Sequence, residues 1–509
     1  MLNCSKKRNT RHNMNDGTLL AAVDLGSNSF RLEIGRFAYG HIERIEYRKE
    51  TVRLGGGLDE ERKLTPEAMQ RGWECLARFG ERLADFSPSQ VRAVATQTLR
   101  EARNRQEFIA RGSEVLGYPI DVVSGPEEAR LIYQGVAHLL PQSDERRLVV
   151  DIGGRSTELI VGQQFTPQLM ASYRVGSVAW SARYFAQGAF TPQAFATAEI
   201  AAKAVLDEAL DTFHRNAWEV AYGASGTVGA VADILALAGL APAGAITRAG
   251  LDWLQERLVR AQSAERLRLE GLKDERRPVL GGGLSVLRAV FDLLQIDQMQ
   301  AAQGALRHGL LYDLLDREQP ATDLRAAAVQ GLMQRFAVDA AQAERVARTA
   351  GILFAQVAPP SPASAAAARE LEWAARMHEL GSLISHSDAH RHGAYILDNT
   401  DVPGFTATEL HRLGLLVLGQ RGKVRKLEAE LHGDTGLVVQ LLCLRLAVAL
   451  CHARRDPDIA GLTLQLKGTH HVLTTRPGWV RAYPQSAYLL REEALAWQKT
   501  PWELRLELH

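Results

Sequence analysis

The stretch Leu148-Val149-Val150-Asp151-Ile152-Gly153-Gly154-Arg155-Ser156-Thr157-Glu158-Leu159-Ile160-Val161-Gly162 reads as a strand, a turn and a strand. A β-branched apolar run ends at Asp151, two glycines let the backbone turn close to a ligand, and a second apolar run begins at Leu159. Asp151 thus stands at a strand's end beside unpaired backbone amides. Such amides bind phosphate oxygens, and a carboxylate there can hold the magnesium that accompanies concentrated negative charge. Glu158 supplies a second carboxylate.

The pattern occurs earlier as Val23-Asp24-Leu25-Gly26-Ser27-Asn28-Ser29-Phe30-Arg31-Leu32-Glu33-Ile34-Gly35. One such turn is equally a buried hairpin with a solvated Asp. Two matching copies point to related α/β lobes facing each other, with phosphate held in the cleft between their loops.

With 509 residues the chain exceeds one core. Its 60 basic and 59 acidic residues leave a net charge of +1, which excludes a globally basic DNA binder. Cys4, Cys75, Cys443 and Cys451 form no Cys-x-x-Cys pair, so neither structural zinc nor a disulfide framework is expected. Residues 1–15 carry Lys6, Lys7, Arg8 and Arg11 without an apolar region behind them. They read as a disordered basic tail and not a signal peptide. No apolar run is long enough to span a bilayer, and a cytoplasmic protein is expected.

Between the two hairpins, Thr65-Pro66 opens a helix running to about Phe86. Strand Val91–Ala95 leads into Thr96–Ala102, which places Arg100 at a strand-to-helix edge. There its guanidinium either grips phosphate or makes an ion pair with a nearby Glu. Strand Pro119–Val123 precedes Ser124-Gly-Pro-Glu127-Glu128-Ala-Arg130. Ser124 and Glu127 match a capping box, which leaves Glu128, about 100° around the helix, free for chemistry. In the second lobe Pro192–Asn216 reads as one long helix. Val220–Val228 repeats the strand, glycine turn and helix logic, so Ser225, Gly226 and Thr227 serve either close phosphate approach or tight packing. Gly281-Gly282-Gly283 precedes a further helix, and Ala301–Gly309 begins the helix that closes the lobe near Leu315. From Asp323 to about Cys451 the spacing is helical. Pro359–Pro362 has linker composition, and His378, His386, His390 and His392 are either metal ligands or solvated and capping residues. Leu462–Leu466, His471–Thr475 and Glu503–Leu508 alternate like strands of a small terminal domain.

Taken together, the Asp24 turn, Thr98-Leu99-Arg100, the Ser124–Arg130 segment, the Asp151 turn and Gly223-Ala-Ser-Gly-Thr227 resemble the exopolyphosphatase and guanosine pentaphosphate phosphatase family (Ppx/GppA). Five motifs occur in the family's order, and the likeness reaches through the His378–Leu397 segment. It implies an α/β protein of two actin-like, ribonuclease-H-like lobes, an all-α HD-like domain and a small α+β C-terminal domain. The expected borders are lobe I at 16–131, lobe II at 132–315, the helical domain at 316–453 and the terminal domain at 454–509. A homodimer is expected. An HD site holds metal with a His-Asp doublet, whereas this chain has His378-Glu379, which implies a domain without its own chemistry. The resemblance also makes the proline stretch a loop inside the helical domain.

By resemblance Glu128 is the general base, and Asp151 and Glu158 are catalytic carboxylates that place Mg²⁺. Another divalent cation, or a monovalent one such as K⁺, is a further candidate. Asn28, Arg100, Ser156, Ser225, Thr227 and the amides around Gly153, Gly154 and Gly226 would hold phosphate. Arg155 departs from the family's usual Gly or Ala. It costs about 1 kcal/mol if the site needs a positive φ, and it is expected to reach phosphate or a neighbouring acid. The expected activity is exopolyphosphatase, with guanosine pentaphosphate hydrolysis as the alternative. A non-catalytic polyphosphate-binding regulator and an ATP-dependent kinase are the rival classes. The basic segments Arg421–Lys426 and His390–His392 favour the long polyanion modestly.

Overall fold

A computed structural model describes residues 17–38, 41–317, 323–467, 470–498 and 500–509. The expected tail at 1–15 lies outside them. The chain divides into two compact units, 1–323 and 324–509.

The first unit is built on two sheets of matching topology. One comprises β1 (Leu19–Leu25), β2 (Ser29–Ala38), β3 (His41–Thr51), β4 (Val91–Ala95) and β5 (Ile120–Val122), in the order β3-β2-β1-β4-β5. The other comprises β6 (Arg146–Ile152), β7 (Thr157–Gln163), β8 (Thr166–Tyr173), β9 (Val220–Ala224), β10 (Ala245–Thr247) and β11 (Gln298–Ala301), in the order β10-β11-β9-β6-β7-β8. In each, two successive antiparallel strands lead from the first strand and two parallel strands lie on its other side. β10 is an addition at the edge, antiparallel to β11. The duplication read from one motif therefore extends to whole lobes, and both motif turns follow central strands, β1 and β6.

Helices Gly125–Ala137 and Leu306–Arg317 share one core with both sheets. It joins Leu20, Ala22 and Val94 of the first sheet to Val149, Ile160 and Ala224 of the second. The two helices approach closely because Gly135 and Gly309 lack side chains: a Cβ on Gly309 would stand 1.8 Å from the Leu131 carbonyl oxygen. The border expected at 131/132 thus falls inside a helix that serves both lobes.

Three other expectations change. The helix starting at Pro192 ends at Leu206 and gives way to short 3₁₀ turns at Asp207–Ala209 and Arg215–Ala217. Gly281–Gly283 lie within helix Arg277–Leu293, not before it. Their bareness is spent on packing, since a Cβ on Gly282 would lie 2.4 Å from the Ser181 amide nitrogen. The Ser124–Glu127 capping box is half present. Ser124 Oγ accepts from the Glu127 amide at 3.3 Å, while the Glu127 carboxylate receives Arg130 Nε and Nη2, both at 2.8 Å.

The second unit is helical from Leu324 to Leu450 and ends in the sheet β12 (Leu462–Lys467), β13 (His470–Thr475) and β14 (Glu503–Glu507). Pro359–Ser361 connect helix Ala340–Val357 to Pro362–Arg376, so the proline stretch is a loop within this unit. Val346, Leu441, Leu464, Trp479 and Trp497 share one core. The expected border at 453/454 therefore does not separate two cores, and the border expected at 315/316 lies at 323/324. Among the described residues no helix is long and apolar enough to cross a membrane.

Candidate active site

The β6–β7 hairpin sets Asp151 directly opposite Glu158. Antiparallel partners project to one face with Cβ atoms about 5 Å apart. The β1–β2 hairpin sets Asp24 opposite Arg31 in the same way, and Arg31 Nη1 donates to Asp24 Oδ2 at 2.9 Å. One copy thus holds an internal ion pair and the other two acids. The turns touch, since a Cβ on Gly154 would stand 3.1 Å from Ser27 Cβ.

Both turns line a cleft of about 300 Å³ with Glu128, from the first turn of helix Gly125–Ala137. Glu128, Asp151 and Glu158 are 7%, 9% and 1% exposed, so each charge is largely removed from water. Burial pushes the Asp151 carboxyl up to about 7, with the Glu128 charge adding to the effect. Glu158 is held well above the ordinary range by burial and then by Glu128 and Asp151, against a 2.7 Å hydrogen bond from Ser172 Oγ. Glu128 is raised by burial and lowered by Arg100, whose Nη1 donates to its Oε2 at 2.8 Å. Three acids that share one electrostatic environment are thereby concentrated in one cleft.

Cations face them. Arg31, Lys49, Arg276 and Arg307 line the cleft. Arg307 is braced by Glu33, which accepts from its Nε at 2.5 Å. Burial raises Glu33, but His308 and Arg307 outweigh it and hold the carboxyl at about 2. Arg276 lies over Gly226, where a Cβ would stand 1.7 Å from its guanidinium nitrogen. Burial and the Arg31 charge lower the Arg276 pKa. No hydrogen bond or ion pair ties that guanidinium to a described residue. A secluded cation without a partner is costly unless an anion arrives.

Of the residues expected from sequence, Asn28, Gly153, Gly154, Ser156, Ser225 and Gly226 line the cleft with the three acids. Ser225 takes φ 85°, a strained value for a residue with a side chain, and its Oγ accepts from the Thr227 amide at 3.3 Å. The Gly153 amide is already used, donating to Ser156 O at 2.9 Å to close the turn, and is not available to phosphate. Thr227, Arg100 and Arg155 stand outside the lining. Thr227 is buried against Gly283. Arg100 lies on Glu128, Gln97 and the Val123 carbonyl. Arg155 reaches Glu101, not the cleft, and its φ is not positive, so the feared strain is absent. Sequence reasoning missed Arg31, Lys49, Arg276 and Arg307. Arg31 was findable, because it occupies the register position of Glu158 in the other copy.

Among the described residues no group of three or more His, Cys, Asp or Glu is arranged to hold a metal. Mg²⁺ needs only one or two carboxylates when water and substrate oxygens complete its shell. Asp151 fits that demand: its carboxylate lines the cleft and has no hydrogen bond or ion pair to a described residue. In the second unit, Glu379 pairs with Arg454 at 2.6 Å and His378 Nδ1 lies 2.7 Å from Ala375 O. The doublet is thus engaged in local contacts.

Duplicated lobes that close on glycine turns, buried acids and unpaired arginine define a phosphate-handling enzyme of the actin-like architecture. The sequence pattern of the Ppx/GppA phosphatase family matches residues 34–318, and that of Ppx/GppA phosphatase domain III matches residues 324–494. The chain belongs to the Ppx/GppA phosphatase family and is a hydrolase of phosphoanhydride bonds. A similar solved structure is an exopolyphosphatase from Cytophaga hutchinsonii, 24% identical over 59% of this chain and 98% of that one, with a TM-score of 0.53. Another is an exopolyphosphatase-like protein, 26% identical over 59% of this chain and 98% of that one, also with a TM-score of 0.53.

Proposed function

We propose that the cleft removes terminal phosphate from inorganic polyphosphate. The observation that carries this reading is the convergence of three buried acids with Arg31, Arg276 and Arg307 in one cleft. Glu128 accepts the proton of the water that attacks the terminal phosphorus. Arg100 steadies that carboxylate and holds its charge. Asn28, Ser156 and Ser225 orient phosphate oxygens, and the arginines neutralise charge as the bond to the leaving chain lengthens. Asp151 and Glu158 would hold Mg²⁺, which when bound neutralises phosphate charge and orients the attacking water.

Two measurements test the reading. Phosphate release from long-chain polyphosphate should exceed release from guanosine pentaphosphate on one preparation; activity confined to the nucleotide refutes the substrate. Glu128→Gln should lower kcat by about 10²-fold or more while polyphosphate binding persists. Full turnover in that variant removes the base.

A further inference from the structure

Arg155 lies outside the cleft, and its contacts lead back to the reacting carboxylate. From the turn of the second hairpin its Nη2 and Nε donate to Glu101 Oε2 at 2.7 and 3.1 Å, and its Nη1 donates to the Gly55 carbonyl at 3.3 Å. Its aliphatic stem lies on Gly55, where a Cβ would be 3.1 Å from Arg155 Cδ. Glu101 and Gly55 belong to the first lobe. The other oxygen of Glu101 accepts from Gln97 Nε2 at 2.6 Å. Gln97 Oε1 in turn accepts from Arg100 Nη2 and Nε at 2.7 and 3.0 Å, and Arg100 Nη1 reaches Glu128. The chain Arg155–Glu101–Gln97–Arg100–Glu128 is therefore continuous from one lobe to the proposed base.

We propose that Arg155 is a positioning residue: it clasps the second lobe's turn to helix Gln97–Glu101 and, through Gln97, fixes the guanidinium that orients Glu128. Each link is partly shielded from water, with side-chain exposures of 24% for Arg155, 13% for Glu101 and 17% for Arg100. A largely shielded contact in which two guanidinium N–H groups converge on one carboxylate oxygen holds geometry better than an exposed ion pair. Gln97 has a single correct orientation here, because its amide must donate to Glu101 while its oxygen accepts from Arg100. Loss of Arg155 frees Glu101 and lets that orientation relax. The clasp touches no substrate, so it acts on turnover and not on affinity.

This inference rests on Glu128 as the base, and the experiment separates the two. Steady-state phosphate release is measured with whichever phosphoanhydride substrate the wild type turns over best. Glu128→Gln serves as the control for the base. Arg155→Ala should lower kcat about three- to tenfold with KM held within about twofold. Arg155→Lys, which keeps one ionic contact, should recover part of the loss. Glu101→Gln combined with Arg155→Ala should be no worse than Arg155→Ala alone, because both cut the same link. If Glu128→Gln is inactive while Arg155→Ala keeps wild-type kcat, the clasp is refuted and the base stands. If Glu128→Gln is active, the base itself falls. A rise in KM with unchanged kcat would make Arg155 a binding residue and also overturn the proposal. Should Arg155→Ala fail to fold, the Glu101→Gln and Arg155→Lys variants carry the same comparison.

Discussion

At the scale of single residues, the two hairpins differ in sign at one register position. Arg31 neutralises Asp24, whereas Glu158 adds to Asp151, so only the second copy concentrates uncompensated negative charge. The consequence is measurable. Burial and the Glu128 charge push the Asp151 carboxyl up to about 7 in the folded chain against an ordinary value of 3.8. Between those values the folded state holds the proton more tightly than the unfolded state, so stability falls as pH rises through that window. Thermal melts without divalent cation should therefore show Tm dropping from about pH 5 to 8, and Asp151→Asn should flatten the drop. If these acids hold Mg²⁺ as proposed, the ion should raise Tm more at pH 8 than at pH 5, because only the ionised carboxylates would be its ligands. A Mg²⁺ effect independent of pH would speak against these acids as its site. Glu33 has the opposite sign: its carboxyl sits at about 2, so it contributes stability above its ordinary range and loses it only as pH falls toward that value. That Glu128, Asp151 and Glu158 would share one cleft was legible from motif position. Arg276 and Arg307 were not, since a lone arginine carries no periodicity and its value lies in what folds around it.

Elements were legible wherever local chemistry decided them. Thr65 caps helix Pro66–Leu83 and Ser124 caps helix Gly125–Ala137, as their side chains and the following prolines predict. Glycines were ambiguous, because the same bareness serves a turn, a ligand or a neighbouring backbone. At Gly226 the neighbour is the Arg276 guanidinium, and at Gly282 it is the backbone near Ser181. Gly309 is the most demanding case, facing backbone that cannot swing aside. Gly309→Ala should destabilise the first unit by roughly 1–3 kcal/mol, the usual range for overpacking. The readout is a chemical or thermal unfolding midpoint; an unchanged midpoint would mean that the two helices separate freely there. A contiguous set of buried charges also ties these helices to β4: Arg130 bonds Glu127 and Asp313, and Arg92 pairs with Asp313. Sequence placed Glu127 in a local cap because Arg92 and Asp313, which complete its charge cluster with Arg130, are distant along the chain.

For the whole molecule, the cleft is built entirely within residues 17–323, and residues 324–509 have a core of their own. Expressed alone, 324–509 should melt cooperatively, as followed by circular dichroism; a featureless melt would show that its core depends on the first unit. The sequence by itself determined the duplicated strand–turn–strand units, the three acids, the helical second unit and its terminal strands. These follow from periodicity, capping and small-residue turns, all of which act over a few neighbouring residues. Only the tertiary structure decided that helices Gly125–Ala137 and Leu306–Arg317 belong to both lobes, that Arg276 faces the cleft, and that Arg155 turns away from it to Glu101. The physical reason is range. A side chain's partner is chosen by burial and charge among groups that meet only after the sheets have packed, and spacing along the chain does not record that choice.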